Sequence, residues 1–265
     1  MVRVHSPPPI KSTTLTTAAF GPVASRDSEW LIYLIVRSAN ESGRIQDYGV
    51  IGDCRAAALV SRYGSLDWLC WPSFDSPSIF AAILDRHKGG HWSISPKQPF
   101  RVQRAYIADS NVLETHFEGA SGRGILTDLM PVASEDFKRR SLLPDHELLR
   151  QIKCTSGELE FEVDFSPRPE YGRKSANLRQ QGSHGLRMDV GRGAYHLRSS
   201  IPLRVQGGRA QATVVLKSPD VSRFSLTYSE EAPAVLPSLG DDARSRMQFA
   251  SQFLLKPRVD GQRQP

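Results

Sequence analysis

Tryptophan and aspartate side by side in a loop are residue types that hold sugars. The aromatic face lies against C–H surfaces and the carboxylate accepts hydroxyl protons. The run Asp67-Trp68-Leu69-Cys70-Trp71-Pro72-Ser73-Phe74-Asp75 concentrates both. The same residues also have a plain structural use, with Trp68 and Trp71 in a core and Asp75 closing a turn. A second candidate is acidic: Glu158, Glu160 and Glu162 recur at every second position. Inverting glycoside hydrolysis needs two carboxyl groups about 6.5–9.5 Å apart, one protonated and one ionised. Same-face neighbours on a strand lie about 6.6–6.8 Å apart, so the spacing fits. A flat wet face, however, cannot desolvate an acid to raise its pKa, so a solvated strand face is expected.

Other chemistry finds little footing. The seven histidines (His5, His87, His91, His116, His146, His184 and His196) include no pair at metal-ligand spacing. His87 and His91 are four apart, but two glycines intervene and no HExxH surrounds them. No metal and no cofactor is expected. No nucleophile elbow, phosphate loop or dinucleotide fingerprint is present.

The elements that must position the aromatic run read as strands. Ala57–Ser61 and Leu66–Trp71 flank Arg62-Tyr63-Gly64-Ser65 and predict a hairpin. Ser76-Pro77 is a helix-start signal, and Ile79, Phe80, Ile83 and Leu84 share a helical face. One short helix over 76–86 is therefore expected, ended by Gly89-Gly90. From His91 the chain reads as consecutive short strands. Leu159, Phe161, Val163 and Phe165 alternate with acidic residues, the pattern of a strand with one buried and one wet face. His146–Cys154 is a further strand, turned by Thr155-Ser156-Gly157. About a dozen strands predict an all-β antiparallel sandwich, two sheets burying their apolar faces against each other.

The stretch GDCRAAALVSRYGSLDWLCWPSFDSPSIFAAILD…GGHW resembles the N-terminal region of bacterial glucoamylase- and trehalase-like enzymes of glycoside hydrolase family 15. The resemblance continues more weakly through Asn111–Glu118, Leu126–Val132 and Pro167–Arg173. It covers roughly Ile45 to Tyr228. It implies a supersandwich-like β-domain that precedes a catalytic (α/α)6 barrel, and it places both catalytic carboxylates in that barrel, so none is assigned here. The implied role is a non-catalytic domain that braces the barrel, in cis or in trans, and rims its mouth. The implied parent reaction is inverting hydrolysis of α-glucosidic bonds. Trp71, Phe74 and Asp75 then become substrate-rim candidates, as do Arg168 and Arg173, and α-glucosides become weak ligands. The family often has a basic residue where Ser73 stands, and more commonly Asp where Glu170 stands. A stand-alone carbohydrate- or partner-binding sandwich, or one half of a split glycosidase, is the alternative.

The resemblance sets the expected domains: a poorly ordered extension over 1–44, the sandwich over 45–232, and a linker with the atypical start of a barrel over 233–265. A helix starting at Asp241 or Asp242 is expected to begin that last part, and loss of pattern there suggests truncation. The chain of 265 residues carries a net charge of +6. The surplus sits in its last hundred residues, but the arginines are scattered without interleaved aromatics, so no nucleic-acid partner is expected. Trp30–Val36 is apolar for seven residues, far short of the roughly 20 that span a bilayer, so no membrane partner is expected. Three widely spaced cysteines make no disulfide framework. Cys54 and Cys70 are expected as buried thiols, and a cytoplasmic location follows.

Overall fold

The computed structural model describes residues 44–132, 143–230, 236–240, 243 and 245–247. The expected extension, with its apolar run Trp30–Val36, lies outside them, as do Asp241 and Asp242. The described chain forms β1 (Tyr48–Gly52), β2 (Ala57–Ser61), β3 (Ser65–Cys70), β4 (Ser78–Phe80), β5 (His91–Pro96), β6 (Phe100–Tyr106), β7 (Leu113–Gly119) and β8 (Gly122–Leu129). It continues through β9 (His146–Ser166), β10 (Arg179–Gln180), β11 (Leu186–Val190), β12 (Gly193–Ser199), β13 (Arg204–Gln206), β14 (Arg209–Lys217) and β15 (Val221–Ser229).

One sheet runs β1-β2-β3-β5-β9-β14-β13, with β4 on β3. The second runs β6-β7-β8-β9-β15-β12-β11-β10. Every described pairing is antiparallel, as the sandwich reading requires.

β9 belongs to both sheets. Residues 146–153 pair with β15, and 158–165 pair with β14. Gly157 between them has φ of 64°. The expected turn at Thr155-Ser156-Gly157 is therefore a fold-over and not a hairpin: the halves lie in facing sheets and do not pair with each other. Trp92 of the first sheet meets Phe224 of the second edge to face at 6.3 Å, and Phe117 meets Phe161 at 6.1 Å. Leu159, Phe161, Val163 and Phe165 are buried between the sheets, as their alternation predicts. The acidic face opposite is laced by ion pairs: Glu158 with Lys217, Glu160 with Lys97, and Asp164 with Arg209 and His91.

The helix expected over 76–86 does not form. Phe80 pairs with Leu69 and Ser78 with Cys70, so the segment is captured as β4 on the open edge of β3. The Ser76 hydroxyl bonds within its own loop, accepting from Ser73 N at 3.1 Å, instead of capping a helix. Ile79 and Phe80 are buried, while Leu84 is 69% exposed, so the supposed apolar face is split. Tertiary pairing overrides the local start signal. The helical residues described lie instead at 243 and 245–247, apart from two 3-10 turns at Ile45–Asp47 and Gly182–His184. Cys70 and Cys154 are buried, but Cys54 is exposed, at a φ of 70° in the tight connection from β1 to β2.

Candidate functional site

The fold-over in β9 decides what meets at one end of the sandwich. Because the strand doubles back about Gly157, its first residue and the segment after its last emerge together. β3 ends at the same place, and its following loop, 71–77, returns as β4.

That loop is stitched by Ser73. Its hydroxyl donates to Asp75 Oδ1 at 2.5 Å and lies 3.0 Å from Ser76 Oγ. The Ser73 hydroxyl holds the exposed Asp75 carboxyl below the usual carboxylate range. Phe74 projects between them, 62% exposed.

Trp71 turns the other way. It is 2% exposed, stacks on Tyr195 at 6.2 Å and 14°, and meets His146 at 6.0 Å. Tyr228 completes the group, 4.8 Å from Tyr195 and 6.0 Å from His146. Its hydroxyl donates to Glu230 Oε1 at 2.9 Å; burial, then that carboxylate, push the phenol up to about 12. Trp71 Nε1 and His146 Nδ1 are buried without a hydrogen-bond partner. His146 Nδ1 stands 3.9 Å from Asp53 Oδ2, an ion-pair separation too long for a hydrogen bond. Asp53 Oδ1 accepts from the N–H groups of Arg55 and Ala56 at 3.0 and 2.8 Å, fixing the β1–β2 turn. Burial alone would raise the Asp53 carboxyl, but His146 and those two N–H groups leave it below its ordinary value.

The segment 167–173 joins the same end through β4. Arg168 N donates to Ile79 O at 2.9 Å, Tyr171 N donates to Ser78 Oγ at 3.2 Å, and the Tyr171 ring lies 6.1 Å from Trp68. The half-buried Arg168 guanidinium folds back on Pro167 O at 3.2 Å, and Arg173 is exposed. The structure therefore brings the 71–75 loop and the 167–173 segment to one end. It does not join the arginines to Trp71, Phe74 or Asp75 by any described hydrogen bond.

Two carboxylates held ionised, Asp53 and Asp75, are suited to accept hydrogen bonds and poorly suited to donate a proton. Phe74 and Tyr171 are exposed aromatics of the two segments, while Trp71, Tyr195 and Tyr228 form a separate packed group. Sequence reasoning missed Asp53, His146, Tyr195 and Tyr228 at this end. Only Asp53 carried a signal, its place in the Gly-Asp-Cys run. Among the described residues no three His, Cys, Asp or Glu side chains are grouped to hold a metal ion, and no helix is long and apolar enough to cross a membrane.

A family profile described as "Trehalase-like, N-terminal" matches residues 33–222. The chain belongs to this family. A trehalase of Mycolicibacterium smegmatis is 30% identical over 226 residues, covering 78% of this chain and 33% of that protein. A trehalase of Mycobacterium tuberculosis is 29% identical over 221 residues, covering 77% and 32%. One of Thermoplasma volcanium is 32% identical over 178 residues, covering 66% and 27%. The chain thus spans about a third of the length of the curated relatives it matches. Both the aromatic loop and the 167–173 segment fall inside the matched region of the trehalase-like domain.

Proposed function

We propose that this chain is the non-catalytic N-terminal β-sandwich of a trehalase- or glucoamylase-type α-glucoside hydrolase of family 15. The sandwich braces a helical (α/α)6 barrel, in cis or in trans, and the barrel carries out inverting hydrolysis. The observation that carries this reading is the family match together with the convergence of the 71–75 loop and the 167–173 segment at one end of the sandwich. That end is the face turned to the barrel mouth. Phe74 and Asp75 rim the sugar pocket there, Trp71 backs the loop, and Arg168 and Arg173 lie at its margin. Cys54, Cys70 and Cys154 are free thiols, in keeping with a reducing, cytoplasmic setting.

The test is glucose release from trehalose and from maltose. The purified chain alone is expected to release none above a heat-killed control, and release is expected once a barrel is supplied. Glucose released by the chain alone would overturn the non-catalytic reading. The exposed Phe74 beside an aspartate favours a second reading, direct sugar binding. A tryptophan fluorescence change on adding trehalose or maltooligosaccharide to the chain alone distinguishes it.

A further inference from the structure

An outward-facing carboxylate on a sheet is ordinarily solvated. Glu147 is not. On β9 it alternates with the inward Leu148 and faces away from the core of the sandwich, yet it is 4% exposed. Its cover is a segment that follows β15, described at residues 236–240, 243 and 245–247. Arg246, itself 7% exposed, sets Nε 3.0 Å from Glu147 Oε2 and donates from Nη2 to Oε1 at 3.2 Å. The Ser225 hydroxyl donates to the same Oε1 at 2.7 Å. Burial pushes the Glu147 carboxyl up, and Arg246 and Ser225 hold it back.

Further hydrogen bonds brace the segment internally and tie it to this face. Arg246 Nη2 also donates to Ser238 O at 3.0 Å, and Arg198 on β12 donates to the carbonyls of Leu236 and Pro237 at 3.2 and 2.8 Å. Met247 packs on an apolar group of Val112, Leu129 and Leu149, separate from the main core.

We propose that the outer face of the second sheet is an intramolecular docking surface whose occupant is this segment after β15, and that Glu147–Arg246 is its latch. One charge-assisted hydrogen bond from Nη2, with Nε in ion-pair contact beside it, holds two buried charges together out of water. With the pair made, Met247 covers the apolar group of Val112, Leu129 and Leu149. With one partner removed, a lone buried charge remains, and undocking the segment relieves it at the price of exposing Leu129 and Leu149. The sandwich therefore does not end at β15. The inference does not depend on the proposed function.

The experiment is limited proteolysis of the full-length chain, scoring cleavage within 236–247. Cleavage tracks the population of the open form when reclosing is fast. Arg246→Met is expected to raise the cleavage rate at least about tenfold over the parent. Glu147→Leu/Arg246→Met, which removes both charges, is expected to return it to within about threefold. An Arg246→Met rate equal to the parent's, or a double variant as labile as the single, overturns the latch. If Arg246→Met yields no folded protein, Glu147→Gln takes its place. It strands the arginine instead, so faster cleavage than the parent supports the latch and an unchanged rate overturns it.

Discussion

Arg150 grips Asp128 in the middle of the sandwich, Nε to Oδ1 at 2.7 Å and Nη2 to Oδ2 at 3.2 Å, with both side chains fully buried. The remaining donors reach across to the facing sheet, to Gly64 O at 2.7 Å and to Trp92 O at 2.5 Å. The guanidinium also lies 5.0 Å from the Trp92 ring centroid. Burial pushes the Asp128 carboxyl up, and Arg150 pulls it back. A single arginine thus ties β8, β9, β5 and the β2–β3 turn together. Arg150→Met strands the carboxylate and removes one donor from each of two carbonyls, and should lower unfolding free energy by about 3–5 kcal/mol. Asp128→Leu/Arg150→Met should recover much of that loss. Urea unfolding of the two variants checks this; equal losses would mean the pair is not coupled.

Gly157 is the hinge of the fold-over. Its φ of 64° is a left-handed value, and a Cβ there would strike the Ser121 carbonyl. Gly157→Ala should cost at least about 2 kcal/mol, since strain and clash add. Gly191 has a φ of 60° but open space around it. Gly191→Ala should therefore cost less, about 1–2 kcal/mol. Thermal unfolding of both variants measures the difference, and equal midpoints would deny Gly157 its special role.

Asp164 links the outer acidic row to acid stability. Burial alone would raise its carboxyl, but His91 at 3.2 Å and Arg209, whose Nε donates to Oδ1 at 3.2 Å, leave it lowered. A carboxyl lowered in the folded state contributes stability that is fully present above the unfolded value of about 3.9. That contribution fades as pH falls through the lowered folded value. The gap in unfolding free energy between parent and Asp164→Asn should therefore be widest near pH 6 and shrink below about pH 4. A gap constant across that range would show that Asp164 stays unpaired in solution.

What could be read from the sequence followed from local pattern. The alternation of Leu159, Phe161, Val163 and Phe165 named the buried face of β9, and the β2–β3 hairpin stands where Gly64 puts its turn. What could not be read depended on distant partners. Thr155-Ser156-Gly157 looks the same whether the chain pairs with itself or crosses to a facing sheet. Ser76-Pro77 signals a helix, and only the open edge of β3 makes it a strand. Trp71 was a plausible rim residue by type, but its neighbours His146, Tyr195 and Tyr228 come from three remote strands, and no spacing announces them. Nor does any local signal say that Glu147, outward on its strand, will be covered by Arg246.

Phe74 separates the functional reading from a merely structural one. Its side chain is 62% exposed, in a loop held by the Ser73 hydroxyl bond to Asp75 and not by packing of the ring. Truncating an exposed aromatic removes little buried surface, so Phe74→Ala should change unfolding free energy by no more than about 0.5 kcal/mol. Trp71→Ala, by contrast, empties a buried site beside Tyr195 and should cost about 3–5 kcal/mol. If Phe74 rims a sugar pocket, the stable Phe74→Ala variant should depress glucose release in the presence of a barrel by about tenfold, a loss of about 1.4 kcal/mol, chiefly through KM. The measurement is kcat and KM for trehalose with parent and variant side by side. Unchanged constants from a variant of parent stability would remove Phe74 from the rim and leave the 71–75 loop a purely structural connection between β3 and β4.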